Sequence, residues 1–262
     1  MFGLKKLSSI FSSGAKKSSH ERREKNSYEQ QETHNFKPNK KNKFRRWLFR
    51  FILFICILSA LPMVVIRFID PPTSSFIELN KRNHNKNIKQ QWVDIEDVSL
   101  YFPNAVLASE DQQFPNHFGF DLKQIKLVLN SEKGITRGAS TISQQTVKNL
   151  FLWPGKSYLR KAIEAWLVLW MELIVPKKRI LEIYINYAQF GKSVFGVEAA
   201  SQHYFGIPAK QLTVEQSALI AASLPTPSRS NPANPSENLQ KRAAYIRDQM
   251  PRIGGRRAIK EL

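Results

Sequence analysis

LRKAIEAWLVLWMELIV (Leu159–Val175) is apolar nearly all round, and its reading decides what kind of molecule this is. If it crossed a bilayer, the chain would span the membrane twice. Glu164 and Glu172 interrupt it, and the uncharged run between them, Ala165–Met171, is too short to cross hydrocarbon about 30 Å thick. The stretch therefore predicts a central helix packed on all sides in a mainly α-helical domain. A carboxylate carried into such a place is costly unless it is paired.

Around it, shorter helices are predicted over Leu122–Asn130, Thr141–Phe151, Lys177–Ala188, Gly196–Phe205, Thr213–Leu224 and Leu239–Met250, separated by Gly, Pro or Ser. No run alternates with period two for long enough to make a strand, and no internal repeat is visible. WLFRFILFICILSALPMVVI (Trp47–Ile66) reads differently, because Phe51–Ile66 carries no charge and is flanked by Arg50 and Arg67. It predicts one transmembrane helix over 47–67. A cleaved signal peptide would have a shorter apolar core, and a buried core helix would show a polar face, which Phe51–Leu58 lacks.

The 262 residues carry a formal charge of +19, of which +9 falls in residues 1–46, a Ser-, Asn- and Gln-rich segment expected to be disordered. The positive-inside rule puts that tail in the cytoplasm and residues 67–262 across the membrane, where a further +9 points to an anionic partner. Residues 68–92 read as a stalk, 93–250 as the domain and 251–262 as a C-terminal tail. The lone Cys56 excludes a disulfide scaffold and multi-thiolate metal sites. Nucleic acid is excluded as the partner, since the basic tail has no such motif and flanks a span.

Three clusters could do chemistry. Glu110 and Asp111 follow the apolar Ala105–Ala108, with Phe114, His117, Gly119 and Asp121 close behind. On helical geometry Glu110 closes a buried turn while Asp111 points elsewhere, which suits a general base or acid. The alternative is a pair of acids capping a helix end beside a structural histidine. Gly138–Asn149 (GASTISQQTVKN) opens a helix, where free N–H groups and Lys148 suit phosphate, although the P-loop spacing is absent. Thr141 and Gln144 equally stand in a capping-box relation, which leaves Gln145 and Lys148 to face sideways. Arg160 and Lys161 lie four and three residues before Glu164, as either a surface ion pair or a charged pocket wall. His84, His20 and His34 fall in polar segments, His203 reads as a packed histidine, and neither a His-Glu-x-x-His nor a Gly-x-Ser-x-Gly pattern occurs. Two glutamates with cations and amides between them suggest sugar or phospho-sugar chemistry.

Together these motifs resemble the glycosyltransferase domain of peptidoglycan synthases, and most closely the monofunctional biosynthetic peptidoglycan transglycosylases. The likeness runs from about Val93 to Met250. Glu110–Asp121 resembles the family's first motif, Gly138–Asn149 the second, Arg160–Glu164 the third, and Lys178–Asn186 with Phe190-Gly191 the fourth. In the fifth, Arg242 and Met250 fit but Arg247 stands where an apolar residue is common. Ala139 replaces a second glycine, and Lys156 replaces a common Arg, keeping charge without bidentate phosphate geometry.

The resemblance implies a lysozyme-like, two-lobed, mainly α-helical fold behind a single transmembrane helix, at the bacterial inner membrane. It implies polymerisation of lipid II into β-1,4-linked glycan strands, with inversion and release of undecaprenyl pyrophosphate. By the same likeness Glu110 is the base and Glu164 orients the donor or a cation near it. Lys148, Lys156, Arg160 and Lys161 hold pyrophosphate; Gln144 and Gln145 bond donor sugar or phosphate; Asp111, His117, Ser140 and Thr141 complete the substrate site; and Ile125–Arg137 forms a flap. No cofactor is required, although a divalent cation, Mg2+ or Mn2+, beside the pyrophosphate is compatible with the family. Partners would be lipid II, the growing strand, the membrane, and cell-wall synthase or cell-division proteins. Ser13-Gly-Ala-Lys16 is a chance match to a transpeptidase signature and no Lys-Thr-Gly occurs, so strands without crosslinks are expected. The rival readings are a lytic transglycosylase or muramidase, which would not need the Lys148/Arg160/Lys161 cluster, and a non-catalytic membrane-anchored scaffold.

Overall fold

The computed structural model describes residues 40–83, 87–130, 140–155, 157–255, 259 and 262. Most of the expected tail, the flap beyond Asn130 and Lys156 lie outside the described residues. The chain divides into two compact units, Met1–Cys56 and Ile57–Leu262. In the first, the described residues belong to helix α1 (Lys40–Phe68), so the helix begins within the segment expected to be tail. Nothing in Lys40–Arg46 breaks a helix, and the 29 residues of α1 rise about 43 Å, ample for a bilayer.

Among the described residues of the second unit, the regular structure is helical apart from a two-residue parallel ladder, β1 (Lys89–Gln90) on β2 (Val194–Phe195). The expected stalk is not irregular throughout, because α2 (Ser75–Asn83) forms within it. Ser74 Oγ accepts from Ile77 N at 3.2 Å, and Ile77 is buried. Then follow α3 (Tyr101–Glu110), α4 (Leu122–Leu129), α5 (Ile142–Phe151), α6 (Tyr158–Ile174), α7 (Lys177–Tyr187), α8 (Val197–Phe205), α9 (Val214–Ala222) and α10 (Glu237–Gln249). Helix α3 packs on α9 and α10, and α5 packs on α2, α6 and α7. The mainly α-helical expectation holds.

The helix packed on all sides is α7 rather than α6. Every residue from Ile180 to Tyr187 is buried. On α6 the buried residues are Glu164, Val168 and Met171, whereas Leu159, Trp166, Leu169 and Leu173 are exposed. A bilayer and a protein core select the same apolar side chains, so composition could not tell which covers that face. Its polar neighbours are in the C-terminal part of α1, where Trp166 Nε1 donates to Ser59 Oγ at 3.1 Å and Arg67 donates to Ile174 O at 2.7 Å.

Polar residues on α7 tie the chain entering the domain to this buried helix. Asn186 Oδ1 accepts from Val93 N and its Nδ2 donates to Val93 O, both at 2.9 Å, while Glu182 accepts from Ile95 N at 2.9 Å. Arg179 donates to Ile66 O, Asp70 and Glu182 at 2.9, 2.7 and 2.6 Å, holding the end of α1 to the same helix.

The loop from α3 to α4 turns at Gly119, whose φ of +76° favours glycine. A Cβ there would sit 2.4 Å from Val168 Cγ1 on α6. Gly119→Ala is expected to destabilise the domain by about 2 kcal/mol or more, combining left-handed strain with overpacking, as measured by denaturant unfolding.

Candidate active site

Helix α3 ends at the two acids, and its C-cap residue Asp111 (φ −156°, ψ 78°) sends their carboxylates in different directions. Asp111 is buried. Its Oδ2 accepts from Ile142 N, the first residue of α5, at 2.9 Å, and both its oxygens lie 3.0 Å from His117 Nε2. A carboxylate at a helix N-terminus is favoured by the exposed N–H groups and the dipole. The capping alternative therefore describes Asp111, and His117 is its structural partner. Glu110 is only partly buried. Its Oε2 accepts from Gln145 Nε2 at 2.9 Å, while its Oε1 lies 3.2 Å from Ser109 Oγ and 3.7 Å from Arg242. Beside it a cavity of about 290 Å³ is lined by Glu110, Asp111, Gln112, Asp121, Ser140 and Thr141.

Helix α5 starts with the capping box expected from Thr141 and Gln144: Thr141 N donates to Gln144 Oε1 at 3.0 Å and Gln144 N to Thr141 Oγ1 at 3.3 Å. The Thr141 hydroxyl also donates to Gly119 O at 2.7 Å. Both side chains are buried, so Gln144 serves the cap instead of facing the groove as the family likeness implied. Ser140 stays exposed at the cavity. One turn along, Gln145 faces Glu110, and Lys148 Nζ lies 5.6 Å from the Phe76 ring. Burial lowers the pKa of Lys148, with Arg160 and Lys161 pushing the same way and Glu164 and Glu110 opposing. Lys148 thus lies within electrostatic reach of both glutamates.

Helix α6 supplies the third cluster. Glu164 is 2 % exposed; one of its oxygens accepts from Arg160 at 2.6 Å and the other from Lys161. Arg160 is 11 % exposed and Lys161 45 %, so a buried carboxylate is held by one largely buried and one half-exposed cation. A second buried acid, Glu172, accepts from Ser143 and, at 2.8 Å, from Lys177, whose ammonium lies 4.3 Å from the Phe114 ring.

The fold thus brings Glu110, Gln145, Lys148, Arg160, Lys161 and Glu164 together, with Asp111 and His117 behind them. Sequence reading did not single out Tyr184, which donates to Gln145 Oε1 at 3.2 Å, and it noted Arg242 only within the weak fifth motif. Tyr184 looked like one more apolar-face residue of α7, and no spacing rule announces a partner on another helix.

Asp111→Ala would strand the Ile142 N–H and the His117 N–H in the interior. It is expected to lower stability by on the order of 2–3 kcal/mol in thermal or denaturant unfolding.

Comparison with known proteins converges on one family. The transglycosylase family profile matches residues 78–251. The biosynthetic peptidoglycan transglycosylase of Shewanella oneidensis is 46% identical over 213 residues, 79% of this chain and 91% of the relative. Those of Xanthomonas campestris pv. campestris (strain B100) and Xylella fastidiosa are 40% and 42% identical over 226 and 225 residues. These cover 83% and 81% of this chain and 92% and 93% of the relatives, respectively.

Proposed function

The chain belongs to the transglycosylase family and is a peptidoglycan glycosyltransferase, and we propose that it polymerises lipid II into β-1,4 glycan with inversion and release of undecaprenyl pyrophosphate. The observation that carries this reading is one electrostatic unit with two ends. At one end is a carboxylate beside an open cavity, at the other a partly buried lysine flanked by Arg160 and Lys161.

In this reaction Glu110 takes the proton from the 4-hydroxyl of the acceptor sugar, and the oxygen attacks C1 of the donor. The C1–O bond to pyrophosphate breaks on the opposite face, and its electron pair leaves with the phosphate oxygen. Negative charge grows there in the transition state, so cations already fixed in place lower the barrier without reorganising. Lys148 and Arg160 supply them. Lys148 is desolvated in the free enzyme and gains most from an anion beside it. Both oxygens of Glu164 are bonded to cations, so it holds Arg160 and Lys161 in place. That donor set does not fit a divalent ion, and no step is assigned to one.

We place α1 across the cytoplasmic membrane with the catalytic domain outside, from the excess of Lys and Arg before Trp47. The exposed apolar face of α6 then lies in the outer leaflet beside residues 57–68, where a polyprenyl-linked donor arrives.

Labelled lipid II incubated with the full-length protein in detergent should yield polymer, and Glu110→Gln should cut the rate by at least about 100-fold with the fold intact. Retained activity in that variant would remove the base assignment. Solubilisation of intact sacculi without polymer would replace synthesis by lysis.

Lys148 is expected to lose its charge at lower pH than an ordinary lysine, so the alkaline limb of kcat/KM should lie below the lysine range. Lys148→Arg should move that limb upward, and Lys148→Ala should weaken apparent donor binding by roughly 10- to 100-fold. An unchanged limb in the Arg variant would sink the phosphate role.

A further inference from the structure

Lys148 brings its charge to the groove without an acid to hold it. Among the described residues its ammonium has no carboxylate partner: Glu164 is bonded to Arg160 and Lys161, and Glu110 to Gln145 and Ser109. Glu78, the acid of α2, accepts from Thr73 at 2.7 Å and from Lys81 at 2.8 Å. What stands against Lys148 is the ring of Phe76, whose centroid lies 5.6 Å from Nζ. At that separation the electron-rich face of an aromatic ring attracts a cation, most strongly where water has been displaced, and Lys148 is partly desolvated. The flexible lysine stem would otherwise sample many positions.

Phe76 is itself fixed in place. It stands in the first turn of α2 between Ser74, whose hydroxyl accepts from Ile77 N at 3.2 Å, and the buried Ile77. Helix α2 packs on α5, and Tyr187 on α7 donates to Pro71 O shortly before it. Position 76 precedes the residues matched by the family profile, 78–251, and lies where the sequence reads as a stalk.

We propose that Phe76 is a positioning residue that holds the Lys148 ammonium in the donor site, so that α2 belongs to the catalytic groove. The inference rests on Lys148 binding the donor's pyrophosphate. The ring occupies one side of the ammonium and takes no proton from it, so N–H groups on the other sides stay free for phosphate oxygens. A carboxylate in the same place would hold the lysine as firmly, but it would also neutralise the charge and repel an incoming diphosphate. An aromatic face fixes the cation and leaves its charge to the substrate, the preorganisation that stabilises an anionic leaving group.

The test is lipid II polymerisation by the full-length protein in detergent, read as kcat/KM. It compares Phe76→Leu, which keeps an apolar side chain and removes the ring, with Phe76→Tyr, which keeps the ring, and combines the first with Lys148→Ala. Phe76→Leu should lower kcat/KM by roughly 3- to 10-fold, and Phe76→Tyr should stay within about twofold of wild type. In the impaired Lys148→Ala protein, adding Phe76→Leu should lower it no further, because the ring then has no cation to hold. A packing defect from the lost ring would instead persist in that background. The proposal is overturned if Phe76→Leu matches wild type, if Phe76→Tyr falls as far as Phe76→Leu, or if the Phe76→Leu loss is undiminished beside Lys148→Ala. Wild-type activity in Lys148→Ala alone would remove the phosphate role, a separable result that takes this inference with it. If Phe76→Leu does not fold, Phe76→Met, flexible enough to fill the same space without a ring, decides by the same criteria.

Discussion

The buried carboxylate of Asp111 is the constraint on which the site depends. An acid 5 % exposed must have its charge answered locally, and two groups answer it: the nearby ring of His117 and, from farther along the chain, the first N–H of α5. Satisfying it pins the end of α3 against the start of α5. With that clasp closed, Glu110 points away from Asp111 and meets Gln145, one turn into α5. Adjacent acids at a helix end take opposite directions, so one can be structural while the other stays open to the cavity.

The site's two glutamates are treated differently, and the difference defines a direction for charge. Glu164 is buried with a cation on each oxygen, so it adds little net negative charge while holding Arg160 and Lys161 still. Glu110 is met mainly by neutral donors, with Arg242 at the margin. Lys148 is partly desolvated, and feels Arg160 and Lys161 as well as Glu164 and Glu110. In the proposed reaction, Glu110 accepts the proton while Lys148 and Arg160 stabilise the anion that leaves C1.

Much of this was legible in the sequence, for physical reasons that differ by element. The long apolar helix was legible because an uncharged run such as Phe51–Ile66 leaves few alternatives. The capping box at Thr141 was legible because its geometry is local. Helix α6 was misjudged because lipid and protein cores select the same side chains, and only the three-dimensional packing shows which face is open. The short helix at Ser75–Asn83 was missed because Asn and Lys dilute its pattern, and a buried Ile77 decided the matter. Tyr184 was invisible as part of the site, since its partner on α5 is supplied by the fold alone.

Helix α7 joins these parts. Arg179 in its first turn gathers Ile66 O, Asp70 and Glu182, and Trp92 packs against the guanidinium at 5.2 Å. Tyr184, five residues later, reaches Gln145. The two points are about 7.5 Å apart along the helix axis. A fully buried helix cannot bend between them without opening the core, so the chain that follows α1 and the Gln145 amide are referred to one rigid body. The burial of Ile180–Tyr187 thus makes the spacing between Arg179 and Tyr184 a property of the fold.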